Sequence, residues 1–262
     1  MSRLAANLTM LFTELPFLDR FAAAAEAGFT GVEFLFPYDH TPEDVARAKE
    51  AAGVEQALFN LPPGDWDAGD RGMAAIPGRE DEFRAGLGLA LEYADALDCP
   101  RLHAMAGILP EGSNPMKSWN VYRDNLTLAA ETAEAAGRMI LIEPINTKVT
   151  MPGYALATTQ AAEAILHMID KPCLGLQLDL FHMQIMEGVS EDRLRTLMPI
   201  TKHVQIADTP DRHEPGTGDM GFPDPLLMLD GLGYDGWIGC EYTPAAGTLA
   251  GLGWADPYLK AS

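Results

Sequence analysis

Short apolar segments and longer amphipathic segments alternate eight times along this chain of 262 residues. Apolar runs of this length, bounded by turn residues, are typical of buried β-strands. They occur at residues 4–8, 31–36, 54–60, 101–105, 139–143, 174–179, 203–207 and 237–241. Segments rich in Ala, Leu and Glu predict helices at residues 18–27, 42–52, 80–97, 125–136, 158–169, 190–197 and 224–232, with an eighth after Gly251.

Eight strand–helix repeats within this length favour an α/β fold, a single (β/α)8 TIM barrel, over an open doubly wound sheet. An open sheet that binds nucleotides usually carries a glycine-rich loop after its first strand. Neither GxGxxG nor GxxxxGK[ST] follows residues 4–8. Because no linker-like or low-complexity segment interrupts the pattern, we predict one domain over residues 1–262.

The charge of the chain bears on its partners. Eighteen Lys and Arg against 38 Asp and Glu leave a formal net charge of -20. Nucleic acids and anionic membranes are bound through clustered cations, so we expect neither as a partner. Three widely spaced cysteines without a CxxC pair indicate a reducing compartment, and no membrane helix or leader is recognisable. A cytoplasmic location is expected, and a homo-oligomer stays open.

Polar side chains stand at the C-terminal ends of the predicted strands, where TIM-barrel enzymes carry their activity. These side chains belong to Asn7, Asn60, Glu143, Asp179, Gln205, Asp208 and Glu241. Each follows an apolar run, and buried charges without partners are costly. The pattern therefore predicts a shared functional site. Acids that only cap strand ends or pair with arginines are the structural alternative.

Three of these residues, Glu143, Asp179 and Glu241, are carboxylates that would converge from the fifth, sixth and eighth strands. Three anions cannot lie within a few ångströms of one another without a cation. Carboxylate oxygens and the amide oxygen of Gln205 suit a hard divalent ion such as Mg²⁺ or Mn²⁺. We therefore predict a metal site formed by these four residues.

Other residues are candidates for binding a substrate. His182, three residues after Asp179, lies at a loop or helix start, whereas His103 is expected to be a hydrogen-bonded core histidine. A long loop after Asn60 carries Arg71 and Arg79, and a second loop carries Arg212. A guanidinium can hold a substrate carboxylate in two-point contact. For two of the three arginines we expect only a salt bridge within the loop.

Long blocks of this sequence resemble the hydroxypyruvate isomerase family of xylose isomerase-like TIM barrels. They include AANLTMLFTELPF, GVEFLFPYD, FNLPPGDWDAGDRGMAAIPGRE, LIEPIN, QLDLFHMQIMEG, HVQIADTPDRHEPGTGD and GWIGCEY. Several of them are equally similar to the neighbouring 2-oxo-tetronate isomerases. The resemblance implies an isomerase that interconverts hydroxypyruvate and 2-hydroxy-3-oxopropanoate, or acts on a related 2-oxo-3-hydroxy acid.

The resemblance also assigns roles to residues. It implies that Glu143 and Glu241 are the paired proton donor and acceptor, and that both also bind the metal with Asp179 and Gln205. We further expect His182, Arg212, Asn60 and Arg71 to bind the substrate. Two other functions stay open at this point. One is a metal-dependent nuclease, which the scattered histidines and acidic charge disfavour, and the other is a non-catalytic protein that binds sugar acids.

Overall fold

A computed structural model describes residues 2–259 and contains the predicted barrel. Eight parallel strands pair in chain order, and the eighth pairs with the first to close the ring. The strands are β1 (Arg3–Asn7), β2 (Gly31–Glu33), β3 (Glu55–Asn60), β4 (Arg101–His103), β5 (Met139–Ile142), β6 (Leu174–Asp179), β7 (Thr201–Ile206) and β8 (Trp237–Cys240). Closure confirms the TIM barrel and excludes the open doubly wound sheet.

Helices connect successive strands and cover the barrel. They are α1 (Arg20–Glu26), α2 (Pro42–Ala52), α3 (Glu80–Leu97), α4 (Pro115–Ala135), α5 (Thr159–Ile169), α6 (Leu180–Met186), α7 (Glu191–Leu197) and α8 (Asp224–Gly231). Short 3-10 turns at Phe17–Asp19 and Leu249–Ala255 complete the set. The last of these replaces the helix expected after Gly251, and α6 was not predicted as a helix. None of the described helices is long and apolar enough to span a membrane.

The side chain that precedes a helix explains where several helices begin. Thr41, Thr158 and Ser190 each accept a hydrogen bond from a main-chain N–H in the first turn of the helix that follows. Helix α4 begins ten residues before the predicted start. There Asn114 accepts from the N–H groups of Met116 and Lys117, next to a proline in the first turn. An asparagine followed by a proline is the sequence signal for this earlier start.

The second strand is shorter than predicted, because it ends at Glu33 and not at residue 36. Glu33 is therefore at the end of a strand, on the same edge of the barrel as Asn7, with which it pairs in register. Its side chain is fully buried. On β8, an added Cβ at Gly239 would lie 2.2 Å from a carboxylate oxygen of Glu33. The glycine thus leaves the space that the buried glutamate fills.

The long loop after β3 packs closely against the segment that follows β4. The N–H groups of Ala74 and Ala75 donate to the carbonyls of Met105 and Ala106, and Gly72 bridges to Ala106. Residues 73–76 are buried. Gly72 has a φ of 106° and its Cα approaches Met105 too closely for a side chain. This part of the loop is a packed element of the barrel end.

Candidate active site

Three carboxylates meet at the C-terminal end of the barrel, as the strand count predicts. Glu143 directly follows β5, Asp179 is the last residue of β6, and Glu241 directly follows β8. All three side chains are buried. We call these three residues the carboxylate cluster. Because each acid is at the end of an apolar strand, the packing of the barrel holds the charges together.

Arg212 supplies the positive charge beside this cluster. Its Nη2 lies 3.2 Å from a carboxylate oxygen of Asp179 and 3.2 Å from one of Glu241. Its Nε donates to the main-chain carbonyl of Glu241 at 3.3 Å. The arginine therefore belongs to the site, and its side chain is 18% exposed, enough to meet a ligand that enters from solvent.

Asp208 holds the loop that presents this arginine. Its Oδ1 accepts from the N–H groups of Thr209 and Met220, and its Oδ2 accepts from those of Gly216 and Gly218. The loop also places the backbone of Arg212 in the left-handed region, at a φ of 58°. Four main-chain donors saturate the carboxylate, so Asp208 organises the loop and is not available as a ligand.

Behind the cluster, Glu33 forms a buried polar network. One carboxylate oxygen accepts from the side-chain amides of Asn7 and Gln205 at 2.9 and 2.8 Å. The other carboxylate oxygen lies 2.5 Å from His203 Nε2. Glu33 was not predicted as a site residue, because the predicted strand ran to residue 36 and left this acid in its interior. An acid within an apolar run was the available signal, since a buried acid needs partners.

Gln177 links this network to Glu143. Its side-chain amide donates to Gln205 Oε1 at 2.6 Å and to Glu143 Oε2 at 3.0 Å. The amide oxygen of Gln205, predicted to face a metal, thus already accepts one hydrogen bond and keeps one further lone pair. Gln177 was also missed, since it lies two residues before the end of its strand.

Two histidines flank Glu143. His182 Nε2 lies 3.6 Å from Glu143 Oε1 and 3.5 Å from Asp179 Oδ2. His103 Nδ1 lies 3.5 Å from Glu143 Oε2. His103 is buried as expected, but neither of its ring nitrogens has a hydrogen-bond partner among the described residues, which corrects the prediction of a hydrogen-bonded core histidine.

The remaining predicted residues have other contacts. The guanidinium of Arg71 donates to the carbonyls of Trp66 and Asp70 and stacks 3.8 Å above the Trp66 ring. Arg79 forms ion pairs within its own region, with Asp70 at 2.7 Å and Glu82 at 2.6 Å. None of these contacts, as far as the described residues go, is with the carboxylate cluster.

Asn60, the last residue of β3, is buried and pairs in register with His103. Its main-chain carbonyl accepts a hydrogen bond from Tyr38. The strand thus brings Asn60 to the same end of the barrel as the carboxylate cluster.

Burial shifts the ionisation of the site towards neutral forms. It raises the pKa of Glu143, and the neighbouring Glu241 and Asp179 raise that pKa further. Burial also raises the pKa of Glu241 to about 8, although Arg212 opposes this shift. Burial likewise raises the pKa of Asp179, although Arg212 opposes this shift. Burial lowers the pKa of His182 well below its usual range and that of His103 to about 3. Both histidines are therefore neutral near pH 7.

The donor set fits a metal ion. Glu143, Asp179 and His182 each offer one ligand atom, and these atoms lie within 4.8 Å of one another. Glu143 Oε1 is buried without a hydrogen-bond partner in the described structure, and Glu241 Oε2 has the ion pair with Arg212 at 3.2 Å but no hydrogen bond of good geometry. An orphaned carboxylate oxygen in a group of three acids with one arginine favours a further cation. The residues present can therefore hold a metal.

We predict that divalent cations bind more tightly as the pH rises from 6 to 8. Without a bound cation, folding raises the pKa of Glu241 from 4.5 to about 8. The folded state then holds a proton that the unfolded chain has lost, so the free energy of unfolding falls as pH rises through this window. A cation binds the ionised form and must displace that proton. Titration calorimetry with Mg²⁺ in two buffers should show that binding of the ion releases protons. Fewer protons should be released in Glu241→Gln. An affinity for Mg²⁺ that does not change between pH 6 and 8 would contradict the prediction of tighter binding at higher pH.

Comparisons with known proteins identify the family. The family model described as xylose isomerase-like TIM barrel matches residues 21–258. The chain belongs to the xylose isomerase-like TIM barrel family. A 2-oxo-tetronate isomerase of Cupriavidus necator is 49% identical over 99% of both chains. The hydroxypyruvate isomerase of Escherichia coli is 42% identical over 98% of this chain and 100% of that protein. These relatives confirm the resemblance and the enzyme class, an isomerase.

A solved structure is similar over the whole barrel. A crystal structure from Brucella melitensis, described as an AP endonuclease of family 2, matches with a TM-score of 0.96 and 47% identity, covering 99% of this chain and 100% of that one. The similarity supports the arrangement of strands that carries the carboxylate cluster. Its description names a nuclease, whereas the full-length relatives above are named isomerases, so the two activities call for a direct test.

Proposed function

We propose that this protein interconverts hydroxypyruvate and 2-hydroxy-3-oxopropanoate by proton transfer between Glu143 and Glu241. The observation that carries the proposal is the convergence of two buried glutamates with raised pKa values beside one arginine. A carboxylate whose pKa lies near the working pH can both accept and return a proton. The site thus provides two acid–base groups and a cation for a small acidic substrate.

Each residue of the site has its own role in the proposed reaction. One glutamate removes a proton from C3 of the substrate and an enediolate forms. The other glutamate delivers a proton to C2, and the hydroxyl proton of O3 passes to O2, so that the carbonyl moves from C2 to C3. Arg212 holds the substrate carboxylate through its guanidinium. His182 donates a hydrogen bond to a substrate oxygen, and Asn60 and Arg71 are proposed as further contacts. Burial of the site excludes bulk water, which strengthens these electrostatic contacts.

We further propose Mg²⁺ or Mn²⁺ as the cofactor. The ligands would be Glu143, Asp179 and Glu241, with Gln205 through the lone pair that Gln177 leaves free. When bound, the ion supplies positive charge to the oxygen on which negative charge develops during proton transfer. Support comes from Glu143 Oε1, which is buried without a hydrogen-bond partner, and from three carboxylates that share one arginine.

A second candidate substrate is a four-carbon 2-oxo-tetronate. The same two glutamates would move its carbonyl between C2 and C3 by the same steps. The observation that favours it is the 49% identity to a protein named 2-oxo-tetronate isomerase, compared with 42% to a named hydroxypyruvate isomerase. The two substrates differ by one hydroxymethyl group, and the carboxylate cluster serves both equally well.

The test is to supply the purified protein with both acids side by side, with EDTA and with added Mg²⁺ or Mn²⁺. We expect turnover of at least one acid and loss of turnover in EDTA that Mg²⁺ or Mn²⁺ restores. A parallel assay on DNA with an abasic site tests the nuclease activity, which the net charge of -20 disfavours. DNA cleavage without isomerisation would refute the proposal. Ligand binding with no turnover would instead indicate a non-catalytic sugar-acid-binding protein.

A cytoplasmic location is also proposed. Support comes from the three cysteines, Cys99, Cys173 and Cys240, which are free and buried. Buried thiols that form no disulfide are typical of proteins kept in a reducing compartment.

A further inference from the structure

The side chain of Asn146 contacts both the loop after β5 and the ring of His182. Asn146 is fully buried, three residues after Glu143 in the segment LIEPIN. Its Oδ1 accepts from the main-chain N–H groups of Val149 and Thr150, at 3.0 and 3.1 Å. Two donors at one oxygen determine the orientation of the amide, because the reversed amide would turn its NH₂ group towards them.

The orientation of this amide determines which nitrogen of His182 carries hydrogen. Asn146 Nδ2 lies 2.8 Å from Thr150 Oγ1 and 2.7 Å from His182 Nδ1, so its two hydrogens are directed at these two atoms. His182 Nδ1 must then accept a hydrogen bond and cannot carry a hydrogen itself. The hydrogen of the ring therefore resides on Nε2, which faces Glu143 and Asp179.

We propose that Asn146 is a positioning residue that holds His182 as a hydrogen-bond donor towards the substrate. An imidazole nitrogen that carries hydrogen cannot be a metal ligand, and metal-binding histidines usually donate from their second nitrogen to an acceptor. Asn146 offers His182 a donor instead. Although the position of His182 would allow it to join a metal site, its protonation pattern assigns it to a substrate oxygen. The substrate contact rests on the proposed function, whereas the tautomer does not.

Substitution of Asn146 by Asp should reverse this arrangement with little change in shape. One carboxylate oxygen of the aspartate still accepts from Val149 and Thr150, so the loop keeps its hydrogen bonds. The other oxygen faces His182 Nδ1 as an acceptor and draws a hydrogen onto that atom. In Asn146→Asp the ring then either loses its hydrogen at Nε2 or carries hydrogen on both nitrogens.

The test is a two-bond ¹H–¹⁵N correlation spectrum of the full chain with ¹⁵N-labelled histidine, recorded in EDTA and with Mg²⁺. His182→Asn assigns the signal by its loss. We expect hydrogen on Nε2 and not on Nδ1 of His182 in the wild type under both conditions, and hydrogen on Nδ1 in Asn146→Asp. Thr150→Val, which removes only the neighbouring hydroxyl, should keep the wild-type pattern. Hydrogen on Nδ1 in the wild type, or an unchanged pattern in Asn146→Asp, would overturn the proposal.

Kinetics give a second readout. Loss of one preorganised donor to a developing negative charge typically lowers kcat on the order of 10²-fold. If the spectrum of Asn146→Asp shows no hydrogen on Nε2, we expect kcat to fall by this factor with a smaller change in KM. If it shows hydrogen on both nitrogens, the donor is kept and kcat should stay within a few fold of wild type, as in Thr150→Val. An unchanged kcat in a variant whose tautomer has reversed would refute the donor role. If the wild type converts neither acid, the proposed function fails, while the spectrum still decides the tautomer.

Discussion

Glu143→Gln and Glu241→Gln should each lower the isomerisation rate by about 10²- to 10⁴-fold, the range typical of a lost general acid or base. Glutamine keeps the size of each side chain but cannot exchange a proton. Folding should be preserved, because burial already raises the pKa of both acids and a neutral side chain suits the same environment. Steady-state kinetics with either candidate acid, together with thermal unfolding, measures both effects.

The matched control for these variants is Glu111→Gln. Glu111 is an exposed acid in the loop between β4 and α4, so its substitution makes the same chemical change at a carboxylate outside the buried cluster. We expect wild-type turnover from this control. Turnover within a few fold of wild type in either active-site variant would remove that glutamate from the acid–base role.

Arg212→Met should raise KM on the order of 10²-fold and also lower the melting temperature. A charge-assisted hydrogen bond contributes about 1.5–3 kcal/mol, and 1.4 kcal/mol corresponds to a tenfold change in binding. The stability loss follows because Asp179 and Glu241 would lose the cation that lies 3.2 Å from each. Removing one partner of a buried ion pair lowers the free energy of unfolding by about 3–5 kcal/mol. Kinetics over a range of substrate concentrations and thermal unfolding measure the two effects.

Arg79→Met is the matched control for the arginine. Arg79 pairs with Asp70 and Glu82 outside the carboxylate cluster, and its side chain is 26% exposed. We expect an unchanged KM and a small change in melting temperature. Mg²⁺ should restore part of the stability of Arg212→Met, because the ion replaces a positive charge beside the acids. A KM for Arg212→Met equal to that of wild type would show that another group binds the substrate carboxylate.

Periodicity predicted the barrel because each strand is a short apolar run between turn residues. Strand β6, Leu174–Asp179, was predicted to the residue, and Asp179 at its end could be assigned to the site on that basis alone. Strand β2 was predicted too long, because the apolar residues after Glu33 continue the pattern beyond the last ladder pair. Because the end of β2 was predicted too late, Glu33, which organises the network behind the site, was not recognised as a residue at a strand end.

The candidate site was predictable only in part, since strand ends report on position and not on hydrogen bonding. Glu143, Asp179 and Glu241 were found because each terminates an apolar run. Gln177 and Asn146 were not found, because their roles arise from contacts across β-strands and loops that sequence spacing does not encode. Among the three arginines, two were predicted to form only loop salt bridges; Arg79 does so, whereas Arg71 donates to main-chain carbonyls and stacks on Trp66. Only the folded loop around Asp208 shows that Arg212 is the one beside the acids.

Isomerisation in D₂O tests whether a proton is transferred between the two glutamates. If one glutamate removes the C3 proton and the other delivers a proton to C2, the delivered proton comes from a group that exchanges with solvent. We expect deuterium at C2 of the 2-hydroxy-3-oxopropanoate formed from hydroxypyruvate, measured by NMR at low conversion. Product that carries at C2 the hydrogen originally bound to C3, and no deuterium, would refute transfer through two glutamates, since the hydrogen would then have moved directly between the two carbons.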